Sequence, residues 1–238
     1  MPTPLDSGNI GYQGAQNLEV MKNAKNYNSF LLNIIVGNVL DAYNVIDFGA
    51  GSGTFSIEVM RCLPSLKLTC VEPDSELRHH LRTAGLKAVD SLERITINSN
   101  NYAYSLNVLE HIENDLGALK SLYSVLEPGG MLFLYVPAFA ILWSSMDTQV
   151  GHLRRYRISD LRDKCECAGF KIEYAKYSDS IGYFASLWLR MFGGKSGKLN
   201  PSSVKFYDRF LFPLSRILDR VVDNWFGKNI ILYARKPL

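Results

Sequence analysis

The sequence predicts an α/β fold, a largely parallel sheet with helices over both faces. Three observations predict it. Short β-rich apolar runs alternate with longer runs of helix-like spacing along most of the 238 residues. The first β-rich run stops abruptly in VIDFGAGSGTFS, which places three glycines on alternate positions between a strand and a helix. The second, LKLTCVEP, ends near an acid, Glu72, that lies 19 residues beyond Gly53.

Taken in order, residues 17–40 carry Leu18, Met21, Leu31, Ile34, Ile35 and Leu40 at helical spacing, so one or two helices precede the first strand. NVIDF is a strand closed by Gly49, and TFSIEVMRCL returns to helical spacing until Pro64. LKLTCVEP is the second strand; SELRHHLRTAG is a helix with a Ser75 cap and a Gly85 stop. After the irregular KAVDSLERITINSNN, the strand YAYSLNVLEHI runs into a polar cluster. NDLGALKSLYSVL is a helix stopped by Glu-Pro-Gly-Gly, and MLFLYVPAF is a buried strand. The segment GHLRRY, a helix (SDLRDKCECAG), a strand (FKIEYAKY), a long insertion and a last strand (KNIILYARKP) complete the chain.

Hydrophobic residues make up 47% of the sequence, enough for a sizeable core, and the length suits one domain. Its parts are a helical segment 1–40, a core 41–176, an insertion 177–228 and a final strand 229–238. MPTPLDSGNI lacks the basic and apolar regions of a secretory signal. MLFLYVPAFAILW falls short of the roughly 20 residues that cross a bilayer. Cys62, Cys70, Cys165 and Cys167 form neither a disulfide framework nor paired CxxC knuckles, so a reducing cytoplasm is expected. The net charge of +3 hides an asymmetry: residues 1–150 carry 9 Lys and Arg against 15 Asp and Glu (−6), and residues 151–238 carry 17 against 8 (+9). That imbalance points either to an anionic partner or surface near the C-terminal part or to solvated charge without a single partner.

A dinucleotide fingerprint would read GxGxxG, whereas Gly49, Gly51 and Gly53 are spaced GxGxG with Thr54 next. Glu72 is placed to accept both hydroxyls of a ribose. Asp47, just ahead of the glycines, would repel a pyrophosphate but suits a ligand with an ammonium group.

VIDFGAGSGTFS, CVEPD, YSLNVLEHI and LEPGGMLFLYVP, in that order and spacing, resemble a class I S-adenosylmethionine-dependent methyltransferase of the bacterial type 11/12 kind. The resemblance covers about residues 27–176 and the final strand. It implies a Rossmann-like seven-stranded sheet of order 3-2-1-4-5-7-6 with the last strand antiparallel, helices on both faces and a helical insertion before that strand. It sets Gly49, Ala50, Gly51 and Gly53 against the methionine part of the cofactor, Asp47 near its amino group, Glu72 on the ribose and Pro73 beside the adenine. Asn107, Val108 and His111 flank the cofactor's mouth, and Asp90 or Ser91 is a candidate for the adenine amine. His111 is the first candidate for a general base, with His152 beside it. NVLEH with His152 is partly similar to the ExxEH metal site of some O-methyltransferases, but Asn107 replaces the first carboxylate. That leaves fewer hard oxygens than a magnesium site collects, and no metal is expected.

GHLRRY resembles a GHxRRY segment of many bacterial methyltransferases in envelope glycan or lipid pathways. His152, Arg154, Arg155 and Tyr156 are therefore candidates for holding an acceptor, or the arginines pair with the domain's own acids. Tyr12, Tyr27 and Pro137 are further candidates for lining the acceptor site. In SVKFYDRFLFPLSRILDRVVDNWF, Tyr207, Phe210, Leu211, Leu214, Leu218, Val221 and Trp225 share one helical face, opposite Lys205, Arg209, Arg216 and Arg220, and Pro213 should break or restart the helix. This apolar stripe faces the core, lies on an anionic membrane or caps a hydrophobic acceptor.

The expected function is methyl transfer from S-adenosylmethionine to a small-molecule or lipid- or glycan-linked acceptor, at oxygen, without nucleic acid as a partner. The expected state is a monomer or homodimer in the cytoplasm, with peripheral contact to the inner membrane face through 181–225. The alternatives are a non-catalytic cofactor-binding subunit and, with less support, a nicotinamide-linked dehydrogenase.

Overall fold

The computed structural model describes residues 20–39, 43–192 and 200–238. Seven strands form one sheet: β1 (Asn44–Phe48), β2 (Lys67–Val71), β3 (Lys87–Val89), β4 (Asn100–Leu106), β5 (Leu126–Pro137), β6 (Lys171–Ser178) and β7 (Asn229–Arg235). Their order is β3-β2-β1-β4-β5-β7-β6. The first five pair in parallel, and β7 runs antiparallel to both β5 and β6, as the resemblance implies. The order reverses between β1 and β4, and such a switch leaves a crevice at the carboxyl ends of those strands.

The helices are α1 (Lys25–Asn38), α2 (Thr54–Cys62), α3 (Ser75–Thr83), α4 (Asp115–Val125), α5 (Ser145–Val150), α6 (Ile158–Cys167), α7 (Ser180–Phe192), α8 (Pro201–Phe206) and α9 (Phe212–Val222). One core, with Ile46, Ala103, Leu119, Leu132 and Leu161, fills one side of the sheet; the other, with Leu31, Ile35, Val45, Tyr104 and Phe133, fills the opposite side. Alternate strand residues feed the two cores, as a sheet buried on both faces requires.

Two local expectations are corrected. The α3 cap is Asp74, whose side chain accepts from the Glu76 and Leu77 amides, and Ser75 is the first helical residue. Glu-Pro-Gly-Gly does not precede β5 but lies within it. Asn100 pairs with Leu126, and Tyr102 pairs with Met131, so the extra residues are taken up as an irregularity in the ladder.

The α8 and α9 helices are joined by a π-helical turn, Tyr207–Leu211, and Pro213 sits in the first turn of α9, where it restarts the helix. In this segment neither the apolar nor the basic stripe is the buried one: Lys205, Arg209 and Arg220 are exposed and Arg216 half-buried, and a third stripe packs inward. Asp208, Phe212, Ser215 and Asp219 are at most 5% exposed, whereas Phe210, Leu214, Ile217, Val221 and Trp225 are 52–68% exposed. The buried acids have a structural use. Asp208 accepts from the amides of Asn26 and Tyr27 at the start of α1, and Asp219 from those of Asp179 and Ser180 at the start of α7. Each carboxylate thereby satisfies two amides that a helix start leaves without an internal partner.

Candidate active site at the carboxyl ends of β1, β2 and β4

The turn after β1 carries the glycines. Gly49 has φ 81°, and a Cβ there would come within 2.3 Å of Val108, so this glycine lets the turn close against the segment following β4. Gly51, at φ 55°, is different: a Cβ would meet nothing within 4 Å, and its open side is where a ligand can lie along the backbone. Gly53, in left-handed conformation, starts α2.

Two buried acids flank this turn. Asp47 Oδ2 accepts from the Ser56 hydroxyl and, at 2.9 Å, from Tyr104. Burial pushes the Asp47 carboxyl up to about 6, against the opposing pull of the two hydroxyls. Glu72 accepts from the amide of Gly51 at 2.8 Å and from that of Asp74 at 3.0 Å, one on each oxygen. Each carboxylate oxygen has a second lone pair to offer a hydroxyl. Hydroxyls and backbone amides are the partners here, and among the described residues none is a cation. An acid pair of this kind fits a positively charged nucleoside with a free ribose and opposes a pyrophosphate. Pro73 is exposed beside Glu72. Asp90, exposed at the end of β3, pairs with Arg94, and Ser91 precedes a short helical turn.

Asn107 lies at φ 53°, a strained value for a residue with a side chain, and its amide is held by the Tyr135 carbonyl at 2.8 Å. Val108 packs on Gly49. The turn Leu109–His111 then carries Glu110 and His111 to a second cluster, closed by His152 from the loop after α5. The His111 and His152 rings meet edge to face at 4.7 Å. His111 Nδ1 faces the Gly151 carbonyl at 3.2 Å, and His152 Nδ1 faces Asp147 Oδ1 at 2.7 Å. A carbonyl only accepts, so His111 carries its proton on Nδ1. Burial lowers the His111 pKa, and the neighbouring His152 adds to that. Glu110 is fully buried with neither carboxylate oxygen hydrogen-bonded among the described residues, and burial pushes its carboxyl up to about 8.

The remaining predicted residues surround this cluster. Arg155 pairs with Asp147 at 2.8 Å and donates to the Ala138 carbonyl. Arg154 pairs with Asp115 at 2.7 Å, and the Tyr156 hydroxyl donates to the same carboxylate. Both arginines thus pair with acids of the same chain, the second of the two outcomes the sequence left open. Pro137 is buried at the end of β5, where its carbonyl accepts from the Tyr156 amide. Tyr27 stands on α1 with its ring 6.1 Å from that of Tyr135. Tyr12 lies outside the described residues.

Sequence reasoning passed over Asp147, which binds His152 and Arg155 together. Burial would raise its carboxyl, but bonds from His152 and Arg155 and the arginine's charge hold it well below the usual range. Its signal was present as an acid five residues before His152 and eight before Arg155. Tyr104 and Ser56, the partners of Asp47, were also missed. Both point inward from regular elements and carry no motif.

Fold and site together define a class I S-adenosylmethionine-dependent methyltransferase. The model of a family described as methyltransferase domain matches residues 16–175, and the chain belongs to that family. No curated protein matches the sequence. Among solved structures, a SAM-dependent methyltransferase from Thermotoga maritima is similar at TM-score 0.60 and 15% identity, over 94% of this chain and 97% of that one. A SAM-dependent methyltransferase from Archaeoglobus fulgidus gives 0.59 and 14%, over 94% and 96%. Phosphoethanolamine N-methyltransferase 2 of Haemonchus contortus, in complex with S-adenosyl-L-methionine, gives 0.55 and 15%, over 99% of this chain and 62% of that one. S-adenosylmethionine is the cofactor. When bound it supplies a methyl group on a sulfonium sulfur, a carbon already activated for in-line displacement.

Proposed function

We propose that the enzyme methylates an oxygen of a lipid- or glycan-linked acceptor while resting on the inner face of an anionic membrane. The observation that supports this reading is the outward apolar face that α7 and α9 present. Phe184, Trp188 and Leu189 of α7 and Leu214, Ile217, Val221 and Trp225 of α9 are all more than half exposed. Lys205, Arg209 and Arg220 lie on the same segment and suit anionic headgroups. Among the described residues no helix is long and apolar enough to cross a membrane, so the contact is peripheral.

In this reading Asp47, Ala50, Gly51 and Glu72 hold the cofactor, and Gly49, Gly53, Asn107 and Val108 shape its seat. Pro73 covers the adenine side. Tyr27 and Tyr135 face the acceptor, and proton removal from its hydroxyl falls to the cluster of Glu110, His111 and His152. Arg154, Arg155 and Tyr156 position that cluster, because their polar atoms are engaged by Asp115 and Asp147.

Incubating the enzyme with membranes and methyl-labelled cofactor tests this reading. Label should enter the organic-solvent-extractable fraction in a bond that resists mild base, as an ether does. Label confined to water-soluble products would exclude the lipid-linked acceptor, and recovery of labelled methylamine after hydrolysis would exclude oxygen.

A further inference from the structure

Glu110, His111 and His152 each offer one ligand atom, and these three atoms lie within 4.8 Å of one another. A buried carboxylate with neither oxygen partnered among the described residues is unusual, because desolvation is left uncompensated unless a proton or a cation reaches it. Both imidazoles have a nitrogen lone pair to offer a cation. His111 gives its Nδ1 proton to the Gly151 carbonyl, and His152 gives its own to Asp147, so each ring presents the lone pair of Nε2. His152 Nε2 stands 3.7 Å from Glu110 Oε1. That is too long for a hydrogen bond. It is close to the roughly 3.4 Å that separates two ligand atoms sharing a metal at about 2.1 Å in tetrahedral geometry.

The second layer has the matching form. Asp147 holds His152 and is held in turn by Arg155 at 2.8 Å and by the Ser144 amide at 2.8 Å. A carboxylate behind a ligating histidine fixes its tautomer and orientation.

We propose that Glu110, His111 and His152 form a two-histidine, one-carboxylate site for a divalent transition metal, with positions left open to the acceptor. Mixed nitrogen and oxygen donors favour zinc, iron, cobalt or manganese over magnesium or calcium. The metal site stands on the geometry alone; its use, lowering the pKa of an acceptor hydroxyl in place of direct proton removal by these three side chains, rests on the proposed acceptor chemistry.

Chelator-treated protein titrated with Co²⁺ tests the site by visible d–d absorption, with Zn²⁺ as competitor. One equivalent should bind, and His111→Gln and Glu110→Gln should each weaken binding at least tenfold. Asp147→Asn, which keeps the shape but alters the support of His152, should weaken it about 10- to 100-fold. The other two histidines, His79 and His80, lie on α3, and their double change to Gln should leave the spectrum unaltered. Should Glu110→Gln misfold by circular dichroism, the half-buried His111→Gln carries the test. Absence of a Co²⁺ spectrum, or loss of it with His79 and His80 alone, would overturn the site. A normal spectrum from enzyme that labels no membrane acceptor would instead count against the acceptor reading.

Discussion

Two sets of buried acids invite comparison; Asp179 and Asp208, whose partners are amides and hydroxyls although they pack among the helices, belong to neither. At the carboxyl ends of β1, β2 and β4, Asp47, Glu72 and Glu110 have hydroxyls, amides or nothing as partners. Around the 144–156 loop and α9, Asp115, Asp147 and Asp219 are each paired with an arginine, at 2.7, 2.8 and 2.7 Å. The first set has no lysine or arginine in hydrogen-bonding contact among the described residues, and a ligand can complete it. The second is complete and serves as scaffold. Charge asymmetry along a sequence therefore does not by itself locate a binding surface, since part of the C-terminal excess is consumed by internal pairs.

Breaking a completed pair should have the largest effect. Asp147→Ala leaves Arg155 buried without its partner and should cost about 3–5 kcal/mol in urea denaturation. Unchanged stability would mean that this pair is not scaffold. Asp219→Asn keeps one acceptor for the α7 amides but loses the charge beside Arg216, and should cost about 2 kcal/mol in the same measurement.

For the incomplete set the outcome reverses. Asp47→Asn still accepts from Ser56 and Tyr104 and removes a buried charge, so stability at neutral pH should hold or rise, while affinity for S-adenosylmethionine should fall about tenfold, or about 1.4 kcal/mol, by calorimetry.

The pH dependence sharpens the same contrast. Asp47 has its pKa raised from 3.8 to about 6, so between those values the folded state holds more protons than the unfolded one. Its contribution to stability is greatest at low pH and declines as pH rises from about 4 to 6. Cofactor affinity should run the other way, rising with pH to about 6 and then levelling as the carboxylate ionises. Asp47→Asn should flatten both trends.

The smallest stability effect belongs to the outward face. Val221→Ser with Trp225→Ser should change stability by about 0.5 kcal/mol or less. Sedimentation with anionic vesicles should nonetheless fall clearly, and equal sedimentation would remove the membrane contact.

The sheet was legible because each strand is a compact apolar run bounded by turn residues, and the glycine turn with Asp47 and Glu72 stands out by position alone. The α3 cap was less legible, since Asp74 and Ser75 are adjacent and either side chain can cap. The orientation of α9 was hidden for a deeper reason. Asp208, Phe212, Ser215 and Asp219 are spaced four, three and four residues apart, as regular a helical stripe as the apolar one. Periodicity identifies stripes without saying which is inside. Here two helix starts, at Asn26 and Asp179, needed acceptors, and the carboxylate face supplied them. The Glu110 cluster was legible only in part, because Asp147 and His152 meet Glu110 through folding of a loop whose sequence says nothing of the distance.

The π-helical turn at Tyr207–Leu211 bears on the direction of this outward face. Such a turn accommodates one residue more than an α-helix does, and each residue rotates a helix by about 100°. Deleting a single codon there would regularise the helix and turn every side chain of α9 relative to α8. The turn therefore sets which face of α9 points outward, and a one-residue deletion there would present a different one.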